Sequence, residues 1–200
     1  MKNMNDPEIR KAFHYSVLRK EHNQSNTLVV DELGLEHGKC RADIAVINGH
    51  LNGYEIKSDV DSLKRLASQI TTYDGIFDNS SLILTHRHLD DAMHILPKWW
   101  GAILANVDEH DCIYFEYLIL PQPNPHVDNY SVAQLLWREE AQEILFNLGV
   151  RGKQLREKRA MLYKYIVEML SPTDLQFTVR EYLKRRKDWR HPKPPFPSDG

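Results

Sequence analysis

An α/β fold, a mixed central sheet with a helical segment appended at its C-terminal end, is what this 200-residue chain predicts. Three observations lead there. Three β-branched, alternating runs follow one another between an N-terminal helical pattern and the amphipathic pattern over 63–77. A short, continuously apolar run at 81–86 then sits between two helical patterns. Beyond the proline-rich break "PQPNP" at 121–125 the periodicity is helical throughout.

The elements follow in order. A helix should begin at Asp6-Pro7, with Asp6 as N-cap and proline at N1, and run to about Lys20 with Ile9, Phe13 and Leu18 buried; Glu8 falls in its first turn, where the helix dipole favours a carboxylate. "TLVVDEL" (27–33), "CRADIAVI" (40–47) and "LNGYEIKS" (51–58) read as strands. Leu63, Leu66, Ile70, Tyr73 and Phe77 recur at three- and four-residue steps and predict a helix. "SLILTH" (81–86) reads as a buried strand, "HLDDAMHIL" as a helix stopped by Pro97, and "GAILANV" and "CIYFEYLIL" as two more strands. From Ser131 to Lys187 the chain is helical, with interruptions at Gly149-Gly152 and Ser171-Pro172. This predicts a core over 1–120, a basic helical subdomain over 121–190 and a proline-rich tail over 191–200. The core reads helix, strand, strand, strand, helix, strand, with an antiparallel meander at its start.

Composition narrows the function. With 42% hydrophobic residues the chain can bury a sizeable core. No stretch approaches the roughly 18 apolar residues of a membrane span, and the first 20 residues lack the apolar centre of a signal peptide, so a cytoplasmic protein is expected. Cys40 and Cys112 lie far apart and read as buried, reduced thiols. The net charge of -2 hides an asymmetry, because residues 151–200 hold 13 Lys and Arg against 6 Asp and Glu. A basic segment of this kind suits nucleic acid, and equally a docking site on the acidic part of its own chain.

The hairpin "DIAVINGHLNGYEIKSD" (43–59) carries the chemistry. Alternation sets Arg41, Asp43 and Ala45 on one face, Ala42, Ile44 and Val46 on the other, and Glu55 with Lys57 on one face of the next strand. A two-residue turn at Asn48-Gly49 would pair Asp43 with Tyr54 and separate the acids. A three-residue loop over 48–50, or a bulge at Gly53, sets Asp43 beside Glu55. Two readings stay open: cross-strand ion pairs with Lys57 and Arg41, or a metal site. Glu32, in the preceding strand on the face of Val30, could join the acids. Two carboxylates about 4 Å apart repel by roughly 4 kcal/mol at an effective dielectric near 20, which a cation relieves. Oxygen ligands without paired cysteines suit Mg²⁺ or Mn²⁺.

Asp43, eleven residues, then Glu55-Ile56-Lys57 resembles the signature of the PD-(D/E)XK nuclease superfamily, and the order of elements is that superfamily's core. Gln69 to Tyr73 looks like the QxxxY motif of its RecB-like branch. The wording "VVDELGL", "RADIAVINGHLNGYEIKSD" and "HLDDAMHILPKWWGAILA" is similar to a small bacterial branch of predicted nucleases, over about residues 1–107. Ala42 stands where the signature has proline. The resemblance implies a restriction-endonuclease-like fold and hydrolysis of DNA by metal-activated water. Asp43, Glu55 and the Ile56 carbonyl would hold Mg²⁺ or Mn²⁺, and no small-molecule cofactor is needed. Glu32 is the favoured further acid, ahead of Asp31, Glu36 and Glu8. Lys57 would act on water and phosphate, and Gln69 would position it. Arg41, Tyr73, Arg185, Arg186 and Lys187 are the candidate DNA contacts, with no membrane partner, in a monomer or a homodimer. Endonuclease and exonuclease action both remain open. His86 and His88 read as surface or helix-capping residues, and Trp99-Trp100 as closing a core edge.

Overall fold

A computed structural model describes residues 3–186 of the chain. It is an α/β structure built on one six-stranded mixed sheet. Helix α1 (Asp6–Ser16) starts one residue earlier than expected. Asn5 is the N-cap: its side chain accepts from the Glu8 amide at 3.0 Å, and the Glu8 carboxylate accepts from the Asn5 amide at 3.1 Å. This reciprocal box satisfies two end donors at once, which an Asp6 cap would leave open. Glu8 is thereby a helix-end carboxylate, and Leu18 precedes a separate short helix α2 (Arg19–Asn23).

Strands β1 (Leu28–Leu35), β2 (Cys40–Ile47) and β3 (Leu51–Lys57) form the antiparallel meander. Pairing of Ile47 with Leu51 and of Ile44 with Tyr54 shows a three-residue loop, Asn48 to His50, closed by the His50 amide on Asn48 Oδ1 at 2.9 Å. Gly53 is not a bulge. The Phe77 ring lies against its backbone, and a Cβ there would stand 2.6 Å from Phe77 Cδ2. Helix α3 (Leu66–Asp74) crosses to β4 (Asn79–Leu84), parallel to β3; helix α4 (Leu89–Ile95) crosses to β5 (Gly101–Val107), parallel to β4; and β6 (Ile113–Ile119) returns antiparallel. The strands lie in chain order, β1 to β6.

Each face of the sheet has its own core. Ile9 and Phe13 of α1 pack with Leu18, Val29, Ile44, Val46, Ile83 and Ile103. The other face gathers Leu28, Ala45, Leu66, Tyr73 and Leu82. Helices α5 (Asn129–Ala133), α6 (Arg138–Asn147), α7 (Arg159–Met169) and α8 (Pro172–Arg185) pack onto that same face, with Val132, Leu162, Leu175 and Leu183 in one cluster with the sheet. The 121–186 segment therefore shares its hydrophobic core with the sheet.

One strict alternation fails. Ala42 is buried with Ala45 and Ile47, not with Ile44 and Val46, and Leu33 is buried with Val30. Both strands change sides between these residues. The cause is Glu32, whose φ of 55° is left-handed; the ladder runs from Asp31–Ile44 to Leu33–Ala42 and skips the pair between. The skipped partner in this register is Asp43.

Trp99 and Trp100 close the core edge, both indoles donating to Asp74 Oδ1, at 3.1 and 2.8 Å. Cys40 is half-buried, and Cys112, expected inside, is exposed because it lies in the turn before β6. No helix among the described residues is long and apolar enough to cross a membrane.

Candidate active site

The side change at Glu32 and Asp43 opens the sheet at the end where β2 begins and β3 finishes. The pairing of β2 with β3 ends at Ile44–Tyr54, one residue short of Asp43 and Glu55. There the Asp43 side chain replaces the ladder: its Oδ2 accepts the Ile56 amide at 2.7 Å. A cleft of about 560 Å³ is lined at this point by Asp43, Glu55, Ile56, Lys57 and Gln69, with Glu32 and Arg41 among its other residues.

Glu55 is 1% exposed and Lys57 4%. Burial of two charges is tolerable only when their remaining donors and acceptors are met. Here they are. Lys57 Nζ donates to Glu55 Oε1 at 2.7 Å and to Gln69 Oε1 at 3.0 Å, Gln69 Nε2 donates to Glu55 Oε1, and the Tyr73 hydroxyl donates to Glu55 Oε2 at 2.7 Å. Gln69 and Tyr73, one helical turn apart on α3, thus both lock Glu55. Burial, reinforced by Glu55, raises the Tyr73 pKa well above the usual phenol value, so its proton stays available to Glu55.

Asp43 is the electrostatically loaded member. Burial first, then the neighbouring Glu55 and Asp6, raise its pKa to about 7, against the opposing Ile56 amide and Arg10. Arg10, from α1, sits on it: Nη2 lies 3.2 Å from Asp43 Oδ1, 3.0 Å from Glu32 Oε1 and 2.9 Å from Asp6 Oδ1, while Nη1 donates to the Asp43 carbonyl. Burial and Glu55 also raise the Cys40 pKa at the cleft wall, keeping it a thiol.

Asp43, Glu55, Ile56, Lys57 and Gln69 are therefore brought together as the sequence predicts. Glu32 is not. Its left-handed backbone turns it to the rim, where its side chain is 48% exposed and held by Arg10 and, at 3.7 Å, by Arg41. Among the described residues no three His, Cys, Asp or Glu converge on one point, so the expected acid trio reduces to Asp43 and Glu55. Of the other acids considered, Asp31 is bound to His14 at 2.8 Å, and Glu36 lines the cleft. The chemistry of the donor set still suits a hard divalent cation: the carboxylates of Asp43 and Glu55 and the backbone of Ile56 line one polar cleft, where burial and then Glu55 disfavour a bare Asp43 carboxylate.

The outer contacts divide. Arg41 is exposed at the rim, and Arg185 is exposed with its guanidinium over Tyr182. Tyr73 is fully buried and spent on Glu55, so it cannot face nucleic acid. Arg186 is corrected likewise: it is 6% exposed, donates to the Leu135 carbonyl at 2.8 Å and to Glu140 Oε1 at 2.7 Å, and lies over Trp137. It joins α8 to α6 in place of gripping phosphate. Lys187 and the tail lie outside the described residues. His88 stands at the N-cap position of α4 but makes no side-chain cap bond; it is buried, with its ring on the Ser58 carbonyl at 3.0 Å, and not on the surface. Sequence reasoning missed Arg10 and Asp6; their four-residue spacing on α1 signalled an ion pair, but not its reach across to β2.

Residues 1–191 match the model of a family described as Bacteriophage P4 protein cII. Protein cII of Enterobacteria phage P4 is 36% identical over 126 residues, 63% of this chain and 47% of that protein, so the chain spans about half the length of the relative it matches. A solved structure of a protein of unknown function from Silicibacter pomeroyi aligns with 76% of this chain and 98% of its own, at 15% identity and a TM-score of 0.44.

Proposed function

The chain belongs to the Bacteriophage P4 protein cII family, and we propose, from its site, that it is a divalent-metal-dependent nuclease hydrolysing DNA phosphodiester bonds at the Asp43 cleft. The family description carries no chemistry, so the reading rests on the site. Its main support is the placing of Asp43 and Glu55 at one parting of two strands, with Lys57 buried against Glu55. This agrees with the resemblance of Asp43, Glu55, Ile56 and Lys57 to the PD-(D/E)XK signature and of Gln69 and Tyr73 to QxxxY, on a restriction-endonuclease-like core.

Asp43, Glu55 and the Ile56 carbonyl would hold Mg²⁺ or Mn²⁺. When bound, such an ion supplies an acidified water and neutralises charge on the phosphate. The chain's own residues do the rest. Gln69 and Tyr73 fix Glu55 in one orientation, the Ile56 amide fixes Asp43, and the Lys57 ammonium, steered by Glu55 and Gln69, adds positive charge where the attacked phosphate becomes more negative. Arg41 at the rim and Arg185 on α8 are candidate backbone-phosphate contacts, which makes binding salt-sensitive.

One observation favours a second reading, binding of nucleic acid or of a protein partner without cleavage: Arg10 already provides Asp43 with a cation. Incubation of the purified protein with labelled linear, circular and branched DNA, in Mg²⁺, in Mn²⁺ and in EDTA, separates the two. Cleavage products that require the metal support the nuclease; retention of DNA with no product under any condition supports the binder.

A further inference from the structure

A second cleft, of about 440 Å³, lies at the same end of the sheet, where β4 and β5 finish and β6 begins. Three adjacent elements build it. Thr85, His86 and Arg87 follow β4, Asn106 comes from β5, and Tyr114 from β6. Asn106 and Tyr114 are direct cross-strand partners, so the exposed phenol ring stands beside the amide. His86 Nε2 donates to Asn106 Oδ1 at 2.8 Å, which holds the carboxamide in place and leaves its NH2 without a hydrogen-bond partner among the described residues.

Thr85 is the informative residue. It is 1% exposed, yet its Oγ1 has no hydrogen-bond partner among the described residues. A buried hydroxyl without a partner is costly unless something else completes it. Its backbone amide donates at 3.2 Å to the carbonyl of Lys57, a residue of the first cleft. Arg87 bonds the Asp59 carbonyl, and the Asp59 carboxylate, which accepts the Met4 amide at 2.8 Å, also lines the cleft.

We propose that this second cleft takes one nucleotide of a nucleic-acid strand, its base resting on Tyr114 and read by the Asn106 amide and the Thr85 hydroxyl. An exposed aromatic ring beside a fixed amide donor is the chemistry that holds an unpaired base. Exposed Arg87 and His86 suit the attached phosphate, while Asp59 disfavours a bare phosphate dianion in the cleft itself. The volume is within the range of nucleotide-sized ligands. The inference rests on the nuclease reading only for its choice of nucleic acid as the strand that passes from one cleft to the other.

Calorimetric titration of the full chain in EDTA with the four deoxynucleoside monophosphates, and separately with inorganic phosphate, tests it without cleavage. At least one nucleotide should bind, at least tenfold more tightly than inorganic phosphate. Tyr114→Ala and Asn106→Ala should each weaken that binding about tenfold, and Tyr114→Phe should keep it. Thr85→Val should weaken it while raising the melting temperature of the free protein, a readout that also shows the variant is folded. No nucleotide binding, phosphate binding of equal strength, or binding untouched by both Tyr114→Ala and Asn106→Ala overturns the assignment. Nucleotide binding in a protein that never cuts DNA keeps the second cleft and removes the nuclease reading.

Discussion

Neutralising Asp43 should stabilise the metal-free protein, and by an amount that pH switches on. Its carboxyl has a pKa of about 7 in the fold against 3.8 for an ordinary aspartate, through burial and the proximity of Glu55. The folded state therefore favours the protonated form, and ionising Asp43 costs stability. The loss begins as pH rises above the unfolded value near 4 and is complete above about 7. At 1.36 kcal/mol per tenfold, the gap amounts to about 4 kcal/mol. Asn at position 43 keeps the acceptor for the Ile56 amide and carries no charge. In EDTA at pH 8, Asp43→Asn should melt roughly 10 °C above the wild type, with the two curves converging near pH 4. Excess Mg²⁺ should reverse the order by stabilising only the wild type. Thermal unfolding of both proteins across pH 4 to 8.5 is the assay. A wild type equally stable at pH 4 and 8, or an Asp43→Asn protein less stable at pH 8, would refute the crowding of charge at this site.

Further outcomes follow from other contacts. Arg10→Ala removes a cation that competes for Asp43, so Mg²⁺ affinity measured by calorimetry should rise about tenfold while metal-free stability falls. Lys57→Ala should lower turnover on DNA by about a hundredfold and change Mg²⁺ affinity little, since an ammonium acts on phosphate and water and not as a ligand. Arg186→Ala removes the cation from the largely buried Glu140, leaving it the Trp137 amide, and should cost roughly 3–5 kcal/mol in urea unfolding, whereas exposed Arg185→Ala should leave stability unchanged and flatten the salt dependence of DNA binding.

The sheet was legible because its strands are written in β-branched runs bounded by loop residues: Cys40–Ile47 and Gly101–Val107 end where the apolar runs end. The need for one extra residue between Asp43 and Glu55 was legible for a different reason, that a two-residue turn would separate the acids; the structure puts that residue in the 48–50 loop and not in a bulge at Gly53. The change of sides at Glu32 was not, because a left-handed glutamate is dictated by the strands around it and leaves no mark in composition. Parity carried across that residue therefore misplaced Ala42 and brought Glu32 too close to Asp43 and Glu55. Arg10 escaped notice because its partners lie 22 and 33 residues away, beyond any local pattern. Arg186 misled in the opposite sense. A basic run reads as a solvated face, yet one residue within it turns inward to meet Glu140 and the Leu135 carbonyl, a contact set by the packing of α8 on α6.

The central claim, that Asp43 and Glu55 form a metal-dependent phosphodiesterase centre, is tested most directly by one side-by-side assay. Wild type, Asp43→Ala and Glu55→Ala, each shown to be folded, are incubated with the same labelled DNA in Mg²⁺ or Mn²⁺. Metal-dependent cleavage by the wild type and cleavage at background by both variants are expected. Cleavage by folded Asp43→Ala protein at the wild-type rate would contradict the claim.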